Sequence, residues 1–122
     1  MSERILVVDD QEEIRELLAD ILQRRGSEPV MATCPEDALE MLSDDAEDFD
    51  LVILDLTIPG KKGGLETLTE LKKIDPDVKA IVSSGYSEQI ILSNYSEYGF
   101  IDKLPKPYII SEINDVISKY IK

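Results

Sequence analysis

The chain has 122 residues, 43% of them hydrophobic, which suits one globular domain with its own core rather than a disordered segment. Its 26 acids against 13 bases give a net charge of −13, a field that repels nucleic acid and anionic lipid, so direct binding to either is not expected. It has no histidine and a single cysteine, Cys34, which excludes an internal disulfide, a phosphohistidine donor within the chain, a Ser-His-Asp triad and a histidine-liganded metal site.

A divalent ion would therefore need oxygen ligands, which favours Mg²⁺, Ca²⁺ or Mn²⁺. No apolar run is long enough to span a bilayer, and no basic segment precedes an apolar one in the manner of a secretory signal, so a cytoplasmic protein is the expectation. Cys34, just before Pro35, reads as a small half-buried residue. Much of the acidity from Glu36 to Asp50 reads as a solvated helix face and loop.

Strand-like and helix-like segments alternate along the whole chain. Residues 4–8, RILVV, are short, apolar and β-branched, a buried strand. Ile14, Leu17, Leu18, Ile21 and Leu22 then fall on one face of a helix that Asp10 can cap and that Arg24, Arg25 and Gly26 close. Residues 28–33 read as a second strand, held at an edge by Pro29. Pro35 opens a helix through Leu42, with Ala38, Leu39 and Leu42 inward.

Residues 50–56, DLVILDL, are the clearest central strand, and TIPGKKGG after them is a loop. Leu65, Leu68 and Leu71 mark a helix that ends before Asp75-Pro76. A fourth strand is expected over 78–84, a weaker helix over 87–99, a short fifth strand over 100–104, and a last helix carrying Ile110, Ile113, Ile117 and Tyr120. No linker or repeat interrupts the series, so residues 1–122 are expected to form a single domain.

Five β-α units predict a parallel sheet covered by helices on both faces. The strand order can be 2-1-3-4-5 or that of a Rossmann half-sheet. The glycine fingerprint of the latter is missing, because VVDDQEE follows the first strand. Ligands in such sheets bind beyond the carboxyl ends of the strands. Those ends carry Asp9-Asp10, then Asp55, then Ser84-Gly85, and finally Lys106 between two prolines. In a 2-1-3-4-5 sheet the three aspartates converge.

The motifs VVDD, LVILDL, TIPG, SSGY and LPKPY, in this order and spacing, resemble the response-regulator receiver family over essentially the whole chain. DLTIPGKKGGLETL and DPDVKAIVSSGYS most resemble receivers fused to hybrid sensor kinases. The resemblance implies a flavodoxin-like, doubly wound α/β fold of five parallel strands in the order 2-1-3-4-5 with five helices. It implies a two-component or phosphorelay domain that accepts a phosphoryl group from the phosphohistidine of a sensor histidine kinase or phosphotransfer domain. It makes Asp55 the phosphoacceptor, and Asp9 and Asp10 holders of Mg²⁺ (Mn²⁺ being an alternative) with Asp55 and the backbone carbonyl of Thr57. Lys106 would pair with Asp55 or the phosphoryl group, and Ser84 would donate a hydrogen bond to it, with Ser83 as the alternative hydroxyl. The bond from Lys106 to Pro107 is a candidate cis peptide. No enzymatic activity is expected beyond the domain's own phosphorylation and slow autodephosphorylation.

The residues agree with this chemistry. An aspartate is ionised at neutral pH and attacks without a general base, and an exposed one after a central strand can reach a bulky donor. Three carboxylates in one crevice repel each other, and a divalent cation relieves that repulsion. One departure is Lys103, which stands where many receivers carry an aromatic residue three positions before the lysine; it reads as a solvated strand residue, and signalling through an aromatic switch is put in doubt. Lys61 and Lys62 form a basic pair in the loop after Asp55 and read as solvated.

Competing readings fare less well. An aspartate-nucleophile phosphatase of the haloacid dehalogenase type needs an acid two residues after Asp55, where Thr57 stands. A flavin carrier needs hydroxyls and glycines after the first strand, and DDQEE would repel its phosphate. An unphosphorylated pseudo-receiver that serves as an interaction module is opposed by the intact set Asp9, Asp10, Asp55, Ser84 and Lys106.

Overall fold

In the computed structural model, residues 3–43, 49–55, 64–84, 94–105 and 108–120 are described. Their elements run β1 (Arg4–Val8), α1 (Glu12–Arg24), β2 (Glu28–Ala32), α2 (Pro35–Ser43), β3 (Leu51–Asp55), α3 (Gly64–Ile74), β4 (Ala80–Ser84), a 3₁₀ turn (Tyr95–Tyr98), β5 (Asp102–Pro105) and α4 (Ile110–Tyr120). All pairings are parallel and the strand order is β2-β1-β3-β4-β5. This is the doubly wound order expected from the missing glycine fingerprint. Four α-helices are described where five were expected; most of the predicted 87–99 helix lies outside the described residues, and its end forms the 3₁₀ turn.

The two faces of the sheet are filled by alternate residues of the same strands. Leu6, Val8, Val52, Leu54, Ala80 and Val82 meet Ala38 and Leu42 of α2, Leu68 and Leu71 of α3, and Phe100. Ile5, Val7, Leu51, Ile53, Ile81 and Leu104 meet Leu18, Ile21 and Leu22 of α1 and Ile113 and Ile117 of α4. Every residue of β3 is buried, which is why that segment reads as continuously apolar up to its last residue. β2 is an edge strand, and there Pro29 sits opposite Ile5.

Some boundaries differ from expectation. β4 begins at Ala80 rather than residue 78, because the Val78 N–H is spent on the Asp75 carbonyl, 3.1 Å away, in the turn after Pro76. The first helix closes as predicted: Gly26 takes a left-handed φ of 84°, and the Ser27 N–H reaches back to the Leu22 carbonyl at 3.0 Å. Ile110 does not continue the buried stripe of α4: it is the first residue of the helix, is 57% exposed, and lines an open groove with Ile21 and Arg24 of α1.

One polar network fastens α4 to β5. The Asp102 carboxylate accepts the Lys103 N–H at 2.8 Å, the Tyr120 hydroxyl at 2.9 Å and the Lys119 ammonium at 3.3 Å. Burial alone would raise the Asp102 pKa, but these three donors together outweigh it and hold the carboxyl below its usual 3.8. Tyr120 is pushed up to about 12, first by burial and then by that carboxylate. A depressed acid stabilises the fold above its unfolded pKa, and that stability is lost as pH falls through the folded value. Asp102→Asn is therefore expected to lower stability at pH 7 by on the order of 1 kcal/mol. In thermal melts its deficit should shrink as pH falls below 3.8; a deficit independent of pH would contradict this assignment.

Candidate functional site

β1 and β3 are neighbours with Val8 opposite Leu54, so one residue further on Asp9 comes level with Asp55. Asp9 and Asp55 are 1% and 2% exposed, whereas Asp10 is exposed. Asp9, Asp10 and Asp55 each offer a carboxylate oxygen, and these oxygens all lie within 4.8 Å of one another. Two nearly buried acids beside a third are a costly arrangement for a purely structural surface. The predicted convergence is thus present. The expectation of an exposed Asp55 is corrected: it ends β3 as expected, but it is only 2% exposed.

Asp9 is held from three sides. Its backbone N–H donates to the Ala32 carbonyl of β2 at 3.1 Å, its Oδ1 accepts the Gln11 N–H at 2.9 Å, and its carbonyl accepts a guanidinium N–H of Arg15 at 2.9 Å. The first of these is a further sheet contact and the second an Asx turn. Gln11, not Asp10, is the N-cap residue of α1, and it makes no side-chain cap bond, which overturns the capping expected of Asp10. Glu12 and Glu13 are exposed in the first turn, where they face the positive helix end.

On the other flank, β4 places Ser83 opposite Asp55 and Ser84 opposite Pro105. The Ser83 hydroxyl is hydrogen-bonded to the Tyr108 hydroxyl. The backbone of Ser84 ends β4, and its side chain lies outside the described atoms. Thr57, Lys61, Lys62, Gly85, Tyr86, Lys106 and Pro107 lie outside the described residues. Lys103 is exposed on β5, as its reading as a solvated residue expects, and Cys34 is half-buried before α2.

Two residues near the site were not singled out in the sequence. Arg15 follows Asp9 by six positions and is the fourth residue of α1, about one turn in, and only the geometry of the helix start brings it back to the Asp9 carbonyl. Tyr108 directly follows Lys106-Pro107, but its partner is 25 residues away and no local pattern marks it.

The donor set suits a hard divalent cation. It consists of carboxylate oxygens only, two of them recessed, with no nitrogen or sulfur ligand in the group.

A five-stranded doubly wound sheet whose strand ends gather three aspartates is an α/β domain with an acidic, cation-suited site at the carboxyl ends of its strands. Residues 5–118 match the response regulator receiver domain, and the chain belongs to that family. Receiver domains are signalling domains that work with histidine kinases or phosphotransfer proteins, and the family uses Mg²⁺. The chain is 36% identical over 121 residues to sporulation initiation phosphotransferase F of Bacillus subtilis, covering 99% of this chain and 95% of that one. It is 30% identical to part of the sensor kinase CckA of Brucella abortus, covering 99% of this chain but 13% of the kinase. Among solved structures it is similar to the response regulator TrrA of Thermotoga maritima, crystallised with Mg²⁺-BeF, with a TM-score of 0.83, 36% identity and coverage of 98% and 99%. Likeness thus extends to a receiver-sized protein, to a segment of a sensor kinase and to segments of transcriptional regulators, so it does not single out the receivers of hybrid kinases.

Proposed function

We propose that Asp55 accepts a phosphoryl group from the phosphohistidine of a sensor histidine kinase or phosphotransfer domain, present in trans or in a longer parent chain. The observation that carries this is the meeting of Asp9, Asp10 and Asp55 at the ends of two adjacent strands, with their oxygens within 4.8 Å. An Asp55 carboxylate oxygen attacks phosphorus, the phosphorus–nitrogen bond breaks, and the imidazole leaves, giving an acyl phosphate.

Asp9, Asp10 and Asp55, with the Thr57 backbone carbonyl, are the groups that would hold Mg²⁺ or Mn²⁺. Bound there, the cation supplies positive charge to the carboxylates and to the incoming phosphoryl oxygens. Ser84 would hydrogen-bond the transferred group and Lys106 would pair with it. The recessed position of Asp55 asks the donor to present its phosphoryl group into the crevice.

The chain acts on this reading as one receiver domain, residues 1–122, without an enzymatic activity beyond its own phosphorylation and slow autodephosphorylation. Its charge of −13 argues against a nucleic-acid or anionic-membrane partner. No described helix is long and apolar enough to cross a membrane, and a cytoplasmic setting fits a phosphohistidine donor. Incubation with acetyl phosphate and Mg²⁺, followed by intact mass, should add one phosphoryl group, and chelation of Mg²⁺ should prevent it. An unmodified chain in the presence of Mg²⁺ would contradict the proposal.

A further inference from the structure

Beside the acidic cluster a second buried polar pair is present that the roles above do not use. Ser83 is the β4 residue opposite Asp55 and is 0% exposed. Its neighbours Ile81 and Leu104 belong to the apolar cluster beneath α1 and α4. A hydroxyl there is unfavourable unless it is bonded, and a β-branched apolar side chain would suit the strand better. The hydroxyl is bonded, to that of half-buried Tyr108. Burial raises the Tyr108 pKa; the Ser83 bond opposes this, and the negative charges of Asp9 and Asp55 raise it further. The phenol thus stays protonated and lies within the field of the two buried acids. The two hydroxyls carry two protons and their mutual bond uses one, so one O–H remains to be directed at an acceptor.

The chain path gives the pair its significance. Pro105 lies opposite Ser84, and Tyr108 is bonded to Ser83. The chain therefore enters and leaves the dipeptide Lys106-Pro107 attached to successive residues of the strand next to Asp55. We propose that the Ser83–Tyr108 hydroxyl pair is a positioning element of the phosphoacceptor site, holding the chain on both sides of Lys106 against β4 and so setting the rate at which Asp55 is phosphorylated. The inference rests on the reading of Asp55 as the phosphoacceptor. Neither hydroxyl need touch the transferred group; the effect comes from keeping Tyr108 against β4 beside Asp55, and small misplacements around a reacting group cost rate steeply.

The test is the single-turnover rate of phosphorylation by saturating acetyl phosphate, with Mg²⁺ affinity and the thermal midpoint measured on the same samples. Tyr108→Phe and Ser83→Val are each expected to slow phosphorylation by about 5- to 10-fold while Mg²⁺ affinity is unchanged. Ser83→Thr, which matches valine in shape but keeps a hydroxyl, is expected to retain the wild-type rate. Because the two hydroxyls act as one unit, the double variant should lose no more than either single variant. Valine and threonine variants with equal rates, losses that multiply in the double variant, or a parallel fall in Mg²⁺ affinity would each overturn the inference. A wild-type chain that takes up no phosphoryl group would instead overturn the Asp55 reading, and the inference with it.

Discussion

Replacing Asp9 and Asp10 together by asparagine is expected to weaken Mg²⁺ binding by on the order of 100-fold, and at the same time to stabilise the metal-free protein. Both effects have one cause. Asp9 and Asp55 are almost completely buried, and the oxygens of the three acids lie within 4.8 Å of one another. At an effective dielectric near 20, the buried Asp9–Asp55 pair at such a distance opposes folding by about 3.5 kcal/mol, and exposed Asp10 adds less because water screens it. A divalent cation converts that repulsion into attraction, so the wild-type thermal midpoint should rise with Mg²⁺ as binding to the native state pulls the equilibrium. The double variant removes the repulsion before any cation arrives. Asparagine at position 9 can still accept the Gln11 N–H through its side-chain carbonyl, so the local turn is kept. Thermal melts across a Mg²⁺ titration should show a higher metal-free midpoint and little Mg²⁺ response for the double variant. An undiminished Mg²⁺ response would contradict the assignment of these residues.

Truncation of Ile53 should be strongly damaging to the scaffold beneath the site. Ile53 is 1% exposed, in the middle of β3, and packs with Leu18, Ile113 and Ile117 on the α1 and α4 side. Ile53→Ala is expected to cost about 3–4 kcal/mol through lost burial and the cavity left behind. For a chain of this size that corresponds to a fall of roughly 12–16 °C in the thermal midpoint. Ile110→Ala is the matched control: at 57% exposure it should change stability by about 0.5 kcal/mol or less. Chemical denaturation of the two variants side by side checks the packing, and equal losses would contradict it.

Much of this architecture could be read from the sequence because its signals are local. Short β-branched runs fixed the strands, and helical spacing fixed α1, where Leu18, Ile21 and Leu22 are all buried as predicted. The site was legible for a topological reason. Once β1 and β3 are neighbours in a parallel sheet, acids at their carboxyl ends must meet. The misreadings are equally physical. Asp10 looked like a helix cap because aspartate suits that position, but Asp9 takes the Gln11 N–H and leaves Asp10 on the open side of the cluster. Ile110 fits the helical period, yet periodicity does not say whether the first turn of a helix is covered. The burial of Asp55 depends on how closely neighbouring strand ends approach, which no local pattern encodes. The Ser83–Tyr108 bond joins positions 25 residues apart across two elements, so neither residue carried a mark of the other.

The role of Asp55 is tested most directly by following its phosphorylation with a small-molecule donor. Wild type and Asp55→Asn are incubated with acetyl phosphate and Mg²⁺, weighed intact, and the modified chain is mapped by fragmentation after reductive trapping of the acyl phosphate. The account predicts one phosphoryl group on wild type, located at Asp55, and none on Asp55→Asn. An unmodified wild type, or a phosphoryl group that persists in Asp55→Asn, would contradict it.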